Sequence, residues 1–332
     1  DLHFTIHSFP TRRSSDLRYF GKDELLRLAV ARARRMGRLL TTPTVPLHRE
    51  ESIEPFFIVG SGRCGTTLLR RLLQASPDVH IPPENWTFEG CLETFRAHRA
   101  SLPWHLLADL LLCRHVVENH RWFEGVPAEL RSTIHQLEKH GRSLARFYDE
   151  VYRYHGRYCD ATFERWGDKT PINGQKMEAL LAVFPNARFV HMLRDGVDVV
   201  HSMNTEMVCA TSVVSAAKTW TRAVTAAHTF AEQHPDRLLT VRYERLCRNP
   251  EEVLEEVCTF IDVPYSSRLI TRDDHHGEMQ EARSVPHYSG VFGEISTDPI
   301  GKGRENMSRE DKATIRPHIS SVLQSEGYDP VD

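Results

Sequence analysis

Residues 60–67 (GSGRCGTT) combine three glycines, an arginine and hydroxyl side chains, a composition typical of a phosphate-binding loop. Glycines let backbone amides turn toward an anion, and a helix that begins after the loop adds further amides and a partial positive charge. The spacing nearly matches the Gly-x4-Gly-Lys-Ser/Thr pattern of nucleoside-triphosphate enzymes. However, Thr66 stands in the lysine position, and the cation lies earlier, at Arg63. The segment therefore predicts a phosphate site that is not of the kinase type; a glycine-rich turn without a ligand is the alternative.

A second segment, residues 188–203 (RFVHMLRDGVDVVHSM), contains a cation, Arg194, and a hydroxyl, Ser202. Its apolar start predicts a strand that ends before Arg194, and Ser202 follows eight positions later on a predicted helix. A guanidinium and a hydroxyl can together bind a phosphate dianion. An ion pair of Arg194 with Asp195 or Asp198 is the alternative.

Together, residues 63–69 (RCGTTLL) and 188–203 resemble the two phosphate-binding segments of sulfotransferases that use 3′-phosphoadenosine 5′-phosphosulfate (PAPS). The resemblance implies that Arg194 and Ser202 bind the 3′-phosphate, while the loop binds the 5′-phosphosulfate. The loop residues implied to bind the co-substrate are Arg63, Cys64, Gly65, Thr66 and Thr67. The family usually has serine where Cys64 stands, and a position that contributes its backbone amide tolerates this change.

Two later segments extend the same resemblance. Residues 241–244 (VRYE) resemble a strand-end motif of the family, which implies that Tyr243 lies near the nucleotide. Residues 301–304 (GKGR) resemble a basic loop that closes over the nucleotide, which implies that Lys302 and Arg304 bind it. A core tyrosine and a solvated turn are the respective alternatives.

Sulfuryl transfer needs a base for the acceptor hydroxyl and cations near the sulfonate. In the tyrosylprotein sulfotransferases and their bacterial relatives, a catalytic glutamate follows the loop arginine by 21 positions, and Glu84 follows Arg63 by that distance. The resemblance therefore implies that Glu84 is the base. Some cytosolic sulfotransferases use histidine, which makes His80 and His191 the alternatives.

Residues 167–171 (GDKTP) resemble the central segment of the same family. The resemblance implies that Lys169 approaches the sulfonate and, with Arg63, polarises the group in transfer. Asp168 is then left to orient its neighbours. A pair of exposed loop charges is the alternative interpretation.

Strands and helices must hold the candidate phosphate-binding and catalytic segments in place. The pattern of apolar residues predicts where these strands and helices lie. Short apolar runs predict strands at 56–59, 188–193 and 237–243. Helical periodicity predicts helices at 66–75, 249–261 and 308–327, and a largely helical stretch at 102–158. Alternation of strands and helices predicts an α/β fold: a parallel sheet flanked by helices, in a P-loop-like nucleotide-binding domain with a helical insertion at about 100–160.

The chain divides into three parts by pattern. Residues 1–17 lack any period and resemble a translated junction, whereas residues 18–54 predict a helix over 23–40 and a proline-containing linker. Residues 55–332 are predicted to form one sulfotransferase-like α/β domain.

The composition of the chain limits which partners and surroundings are expected for the protein. The 332 residues include 42 Lys and Arg against 45 Asp and Glu, for a net charge of −3, so no nucleic-acid partner is expected. The most apolar stretch, residues 106–113, is too short for a membrane span. Seven widely spaced cysteines without a Cys-x-x-Cys motif predict reduced thiols and a cytoplasmic setting. Residues 273–278 (DDHHGE) match no standard metal site, so no metal is expected.

These observations predict an enzyme that moves the sulfuryl group of PAPS to an acceptor hydroxyl. Glu206 stands where tyrosylprotein sulfotransferases usually have a further nucleotide-binding arginine, which indicates a relative of that subgroup. Glycan, lipid, small-alcohol and peptide-tyrosine acceptors are all open. The competing functions are a P-loop nucleotide kinase and a nucleotide-binding module without transferase activity.

Overall fold

In the part of the chain that the structure describes, five parallel strands form the central sheet. The computed structural model describes residues 44–50, 53–119, 122–206, 212–270 and 293–332. The strands are β1 (Phe56–Gly60), β2 (Val79–His80), β3 (Arg165–Lys169), β4 (Arg188–Leu193) and β5 (Leu238–Arg242). Their order across the sheet is β2-β3-β1-β4-β5, which makes β1 the middle strand and confirms the three strands predicted from the sequence.

Strand β1 is buried along its whole length because helices cover both faces of the sheet. Side chains alternate between the two faces of a strand. Phe56 and Ile58 accordingly join one apolar cluster, and Phe57 and Val59 join the other. Burial on both faces is the physical reason for the uninterrupted apolar run in the sequence.

Helices surround this sheet in the order expected for an α/β fold. The helices before β3 are α1 (Thr66–Gln74), α2 (Phe88–His98), α3 (Trp104–Glu118), α4 (Ala128–Gln136) and α5 (Leu144–Tyr158). Those after β3 are α6 (Met177–Val183), α7 (Gly196–Glu206), α8 (Val213–Gln233), α9 (Tyr243–Arg248), α10 (Pro250–Ile261), α11 (Lys302–Asn306) and α12 (Arg309–Ser325). The helical insertion predicted at about 100–160 corresponds to α3, α4 and α5, which lie between β2 and β3.

The apolar pattern of the sequence did not predict strand β3. The alternative interpretation of residues 167–171 was a pair of exposed loop charges. The structure corrects this, because Asp168 and Lys169 are buried in the strand. Trp166 stacks on the Tyr152 ring with centroids 4.0 Å apart. A side chain at Gly167 would meet the Phe56 ring at 2.4 Å, so the strand packs closely there. These partners bury a strand that has no apolar run of its own.

Two other boundaries differ from the sequence prediction. The basic segment 301–304 is not wholly a loop, since α11 begins at Lys302. Tyr243 is the first residue of α9 rather than the end of β5. Both differences shift these side chains onto helix starts without moving them away from the carboxyl edge of the sheet.

Several predictions lie outside the described residues, namely the junction at 1–17, the helix at 23–40 and the acidic and histidine-rich stretch at 273–278. Of the helices that are described, none combines the length and the apolar character that a membrane span requires.

Candidate active site

The loop after β1 lies at a switch point of the sheet. After β1 the chain forms β2 and β3 on one side, then β4 and β5 on the other. In open α/β sheets this arrangement leaves a crevice at the carboxyl ends of the strands, where ligands bind. Most of the predicted site residues lie at or just after the carboxyl ends of strands or at the start of the next helix, whereas Ser202 lies further along α7.

The loop itself has the backbone geometry that the glycines predict. Gly62, Arg63 and Gly65 have φ angles of 72°, 53° and 97°. A side chain at Gly65 would meet the Tyr243 ring at 2.4 Å, so only glycine fits there. Cys64 is fully buried, and burial raises the pKa of its thiol. The neutral thiol therefore packs inside the loop, which agrees with a role for this position through its backbone.

Arg63 connects the loop to α7. Its Nε donates to Ser202 Oγ at 3.0 Å. A non-glycine residue at positive φ is uncommon and strained, and here it directs the side chain across to α7. The structure thus brings the loop arginine to the predicted 3′-phosphate serine. The two predicted phosphate segments are one cluster.

Arg194 joins the same cluster. One guanidinium nitrogen donates to the Arg63 carbonyl at 3.2 Å, and the other donates to the Pro299 carbonyl at 2.5 Å. The guanidinium lies 4.6 Å from the centre of the Tyr243 ring. The buried Nε of Arg194 has no hydrogen-bond partner within the described part of the chain. A buried donor of this kind fits a phosphate oxygen.

The C-terminal basic segment is attached to α7 through Asp198. This buried carboxylate accepts from the Gly301 and Gly303 amides at 2.8 and 2.7 Å, and lies 3.6 Å from Arg194. The ion pair considered from the sequence as an alternative for Arg194 is therefore present with Asp198. The Lys302 side chain is exposed.

Arg304 is engaged inside the chain. Its Nε pairs with Asp195 at 2.7 Å, and its other nitrogens donate to the Asp329 and Pro330 carbonyls at 2.7 and 2.9 Å. These bonds attach the end of the chain to the start of α7. Contact of Arg304 or Lys302 with a nucleotide stays a prediction.

Lys169 and Glu84 form a second cluster. Lys169 Nζ lies 2.5 Å from Glu84 Oε1, and the two side chains are 3% and 22% exposed. The next residue, Asn85, donates its backbone amide to Thr170 Oγ1 at 2.8 Å. This bond ties the segment after β2 to the end of β3. A buried cation beside a partly accessible carboxylate can serve as charge stabiliser and base.

Buried polar groups support this pair. Asp168 accepts from Tyr152 at 2.7 Å and from Asn173 at 2.9 Å. Burial raises the pKa of Asp168 to about 6, although these hydrogen bonds act in the opposite direction. Tyr152 also accepts from Asn85 Nδ2 at 2.9 Å, and Asn85 Oδ1 accepts from Asn119 at 2.9 Å. Sequence reasoning missed these supporting residues apart from Asp168, because no local pattern distinguishes them from ordinary helix and loop positions.

The two alternative bases lie in other surroundings. His191 is buried in β4 with Nδ1 3.4 Å from Thr240 Oγ1, and burial lowers its pKa to about 4. His80 hydrogen-bonds to His155 at 2.9 Å and stacks on Phe163. Of the three candidates, Glu84 is the one that the structure brings to Lys169.

The described residues contain no group of three or more His, Cys, Asp or Glu side chains that could hold a metal ion. The clusters that they do contain are suited to phosphate and to proton transfer.

Comparisons with known proteins agree with this geometry. A family described as the sulfotransferase family matches residues 55–267. A Drosophila melanogaster protein-tyrosine sulfotransferase is 28% identical over 295 residues, which are 82% of this chain and 51% of that protein. Protein-tyrosine sulfotransferase 1 of Danio rerio is 28% identical over 314 residues, covering 89% of this chain and 77% of that protein. The chain thus spans about half the length of the fly relative.

Solved structures show the same fold. The sulfotransferase domain of the Synechococcus PCC 7002 olefin synthase has a TM-score of 0.57 at 19% identity, covering 85% of this chain and 98% of that domain. The sulfotransferase domain from the curacin biosynthetic pathway has a TM-score of 0.56 at 18% identity, covering 84% of this chain and 99% of that domain. The family match extends from β1 through α10 and covers more than half of the sequence. This chain belongs to the sulfotransferase family.

Proposed function

We propose that this protein transfers the sulfuryl group of PAPS to the hydroxyl of an acceptor. The observation that carries the proposal is the contact between Lys169 and Glu84 at the carboxyl edge of the sheet that also holds the glycine loop. A cation and a carboxylate at that edge are the groups that sulfuryl transfer requires. Membership of the sulfotransferase family supports the same reaction class.

The first cluster fits the nucleotide. The loop amides at 62–67 and the start of α1 are suited to the 5′-phosphosulfate, because the positive φ angles turn the backbone around an anion. Arg194 and Ser202 are suited to the 3′-phosphate, and the buried Arg194 Nε supplies an unused donor. In this proposal Arg63 lies between the two sites, since its side chain already contacts Ser202.

The second cluster fits the chemistry. PAPS supplies an activated sulfuryl group with a phosphate leaving group. Glu84 accepts the proton of the acceptor hydroxyl, and a positioned base of this type contributes about 10²–10⁴ in rate. Lys169 stabilises negative charge that develops during transfer. Asp168 and Asn85 hold the two catalytic segments together through Tyr152.

The acceptor class is proposed from the relatives. Several similar proteins are named protein-tyrosine sulfotransferases, which supports a hydroxyl carried by a protein or peptide. Glycan, lipid and small-alcohol hydroxyls are the competing acceptors. All of them use the same base and the same nucleotide cluster.

Ligand binding and transfer assays test the function. We expect 3′-phosphoadenosine 5′-phosphate (PAP) to raise the melting temperature, whereas ATP with magnesium does not. Radiolabel from PAPS should then appear on a member of a pool of hydroxyl acceptors. Stabilisation by ATP instead of PAP would indicate a kinase, and PAP binding without transfer to any acceptor would indicate a binding module.

A further inference from the structure

The segment that follows α12, residues 327–331 (GYDPV), packs onto the rest of the domain. Gly327 has a φ angle of 70°, and the Tyr328 amide donates to the Leu323 carbonyl at 2.9 Å, a common way for a helix to end. Val331 is 5% exposed and joins one of the two apolar clusters. Because the segment has a fixed position, its polar groups can hold other parts of the chain in place.

Tyr328 connects this segment to Glu244. The Tyr328 hydroxyl donates to Glu244 Oε2 at 3.0 Å. Burial raises the pKa of Tyr328 above its ordinary value, so the hydroxyl keeps the proton that it donates. The other carboxylate oxygen, Glu244 Oε1, accepts from the Asp195 backbone amide at 3.0 Å. Glu244 thus joins Tyr328 to the residue that directly follows Arg194.

Arg304 completes a closed network with the same residues. Its Nε donates to Asp195 Oδ2 at 2.7 Å, and its other two nitrogens donate at 2.7 and 2.9 Å to the carbonyls of the two residues that follow Tyr328. We call Tyr328, Glu244, Asp195 and Arg304 the closed network, because its bonds return to the segment from which they start. All three guanidinium nitrogens of Arg304 have partners within it.

The closed network adjoins the nucleotide cluster at two points. Asp195 follows Arg194 in the chain, and Glu244 follows Tyr243. The Arg194 guanidinium lies 4.6 Å from the centre of the Tyr243 aromatic ring. Asp195 Oδ1 also accepts from the Val197 amide at 2.8 Å, which caps the start of α7. The network therefore fixes the backbone next to both of the side chains that face each other at the predicted 3′-phosphate site.

We propose that Tyr328, Glu244 and Arg304 are positioning residues for the 3′-phosphate, which hold Arg194 against Tyr243 through the closed network. This inference rests on the proposed use of PAPS. None of the three positioning residues touches the nucleotide in this proposal. Arg304 acts through Asp195, since its nitrogens are already bonded inside the chain.

A positioning role differs from a purely structural one in its effect on two nucleotides. AMP has the 5′-phosphate that the glycine loop is suited to bind, but it lacks the 3′-phosphate. A network that positions Arg194 raises the affinity for PAP much more than the affinity for AMP. Since coupling between two sites is reciprocal, bound PAP must also stabilise the closed network. A network that only stabilises the fold would affect both nucleotides equally.

Calorimetry of Tyr328→Phe with PAP and with AMP tests the inference. The substitution keeps the aromatic ring but removes the hydroxyl that holds Glu244 Oε2. We expect the Kd for PAP to rise about 5- to 20-fold, within the usual range of coupling between sites, and the Kd for AMP to change less than about twofold. The KM for PAPS should rise with the Kd for PAP, while kcat stays within about twofold of wild type.

Tyr265→Phe is the matched control. Tyr265 is also half-buried and donates its hydroxyl to a carboxylate, Glu251 Oε1, at 3.5 Å, but both residues lie outside the closed network. We expect unchanged affinity for PAP in this variant. An unchanged affinity for PAP in Tyr328→Phe, equal losses for PAP and AMP, or an equal effect of Tyr265→Phe would overturn the inference.

Arg304→Lys separates action through the closed network from direct contact with the nucleotide. Lysine keeps the charge but lacks the planar fork with which a guanidinium reaches several acceptors at once. Both single variants then break the same network, so Tyr328→Phe/Arg304→Lys should bind PAP no more than about twofold more weakly than the worse single variant. Losses that multiply would mean that Arg304 acts independently, and they would overturn its place in the network.

Hydrogen exchange of the Asp195 amide, measured by NMR, tests the reciprocal effect in wild type. This amide donates to Glu244, so it reports on the closed network directly. PAP should slow its exchange more than AMP does, and this result does not depend on the stability of any variant. The Asn85 amide, which donates to Thr170 Oγ1, is the internal control. Equal slowing by PAP and AMP would contradict the coupling.

The same measurements separate this inference from the proposed function. If wild type binds PAP and transfers sulfate, but binds PAP no better than Tyr328→Phe does, the positioning role fails and the reaction stands. If wild type neither binds PAP nor transfers sulfate to any acceptor, the proposed function fails and the inference fails with it.

Discussion

Lys169 and Glu84 are 85 positions apart in the chain, yet their side chains meet at 2.5 Å. Glu84 is partly accessible, whereas Lys169 is almost fully buried. A buried cation is costly unless a carboxylate accompanies it, so each residue stabilises the other in its position. The same pairing leaves the carboxylate at the surface, where a hydroxyl can reach it.

We predict that Glu84→Gln lowers kcat by about 10²–10⁴ and changes PAP affinity less than about threefold. Glutamine keeps an oxygen that can accept from Lys169 but does not act as a base. Initial rates with labelled PAPS and calorimetry with PAP measure the two quantities.

Glu89→Gln is the control for that substitution, because Glu89 also pairs with a lysine at 2.6 Å but is 62% exposed. We expect near-normal kcat in this variant. Equal losses in both variants, or normal kcat in Glu84→Gln, would remove Glu84 from the mechanism.

At the nucleotide cluster, we predict that Arg194→Gln weakens PAP binding about 10- to 100-fold, the value of one charged hydrogen bond. Ser202→Ala should weaken it less, because a neutral hydroxyl contributes less. AMP lacks the 3′-phosphate, so its affinity should change little in either variant. Calorimetry with both nucleotides gives the ratio of PAP affinity to AMP affinity in each variant. A parallel loss for PAP and AMP would mean that Arg194 only supports the loop through its bonds to the Arg63 and Pro299 carbonyls.

At the scale of elements, the contact between α11 and α7 joins the C-terminal segment to the nucleotide cluster. Asp198, in the first turn of α7, accepts from two amides at the start of α11. The helices approach so closely that a Cβ at Gly303 would lie 2.5 Å from the Val197 carbonyl. This close approach requires glycine, and it connects the position of Arg194 to the fold of residues 293–332.

We predict that Gly303→Ala lowers the free energy of unfolding by about 1–3 kcal/mol, since overpacking forces the two helices apart. PAP affinity should fall as well, because Asp198 also contacts Arg194. Urea unfolding and calorimetry measure the two effects. Gly125→Ala provides the comparison, because a Cβ there meets nothing within 4 Å. An unchanged free energy of unfolding in Gly303→Ala would contradict the close packing of the two helices.

At the scale of the whole molecule, buried histidines couple stability to pH. Burial lowers the pKa of His115 and His155 to about 3 and that of His191 to about 4. These side chains are neutral in the folded protein and take up protons in the unfolded chain below about pH 6.5. Stability therefore falls as the pH drops below 6.5, by about 1.4 kcal/mol per pH unit for each histidine. Asp168 has the opposite effect on stability. Its pKa is about 6 in the folded protein and about 3.9 in the unfolded chain, so between these two values the folded state holds the proton more tightly and a falling pH stabilises it.

We predict that His115→Asn reduces the loss of stability between pH 7 and pH 5 by about 2 kcal/mol relative to wild type. Asparagine retains a polar group for the hydrogen bond that His115 makes with Thr87. Urea unfolding at the two pH values gives the difference. His140→Asn, at a side chain that is 81% exposed, is the control substitution. If His115→Asn loses as much stability between pH 7 and pH 5 as wild type does, His115 is excluded as a source of the pH dependence.

The sequence alone determined the features that depend on local pattern. Apolar runs in β1, β4 and β5 predicted the strands, because a strand buried on both faces needs apolar residues at every position. The glycines at 60–65 predicted the loop, since positive φ angles favour glycine. The resemblance of these segments to those of sulfotransferases pointed to Glu84, Arg194 and Ser202. The family followed from these segments together.

Features that depend on partners distant in the sequence became visible only in the folded chain. Strand β3 carries Gly167, Asp168 and Lys169, and no local pattern indicates that Phe56, Tyr152 and Glu84 bury them. The pairing of Arg304 with Asp195 and the contact of Arg63 with Ser202 were likewise decided by folding. A side chain that bears charge can be exposed, paired or bound to a ligand. Which of these holds depends on groups that only the folded chain brings within a few ångströms.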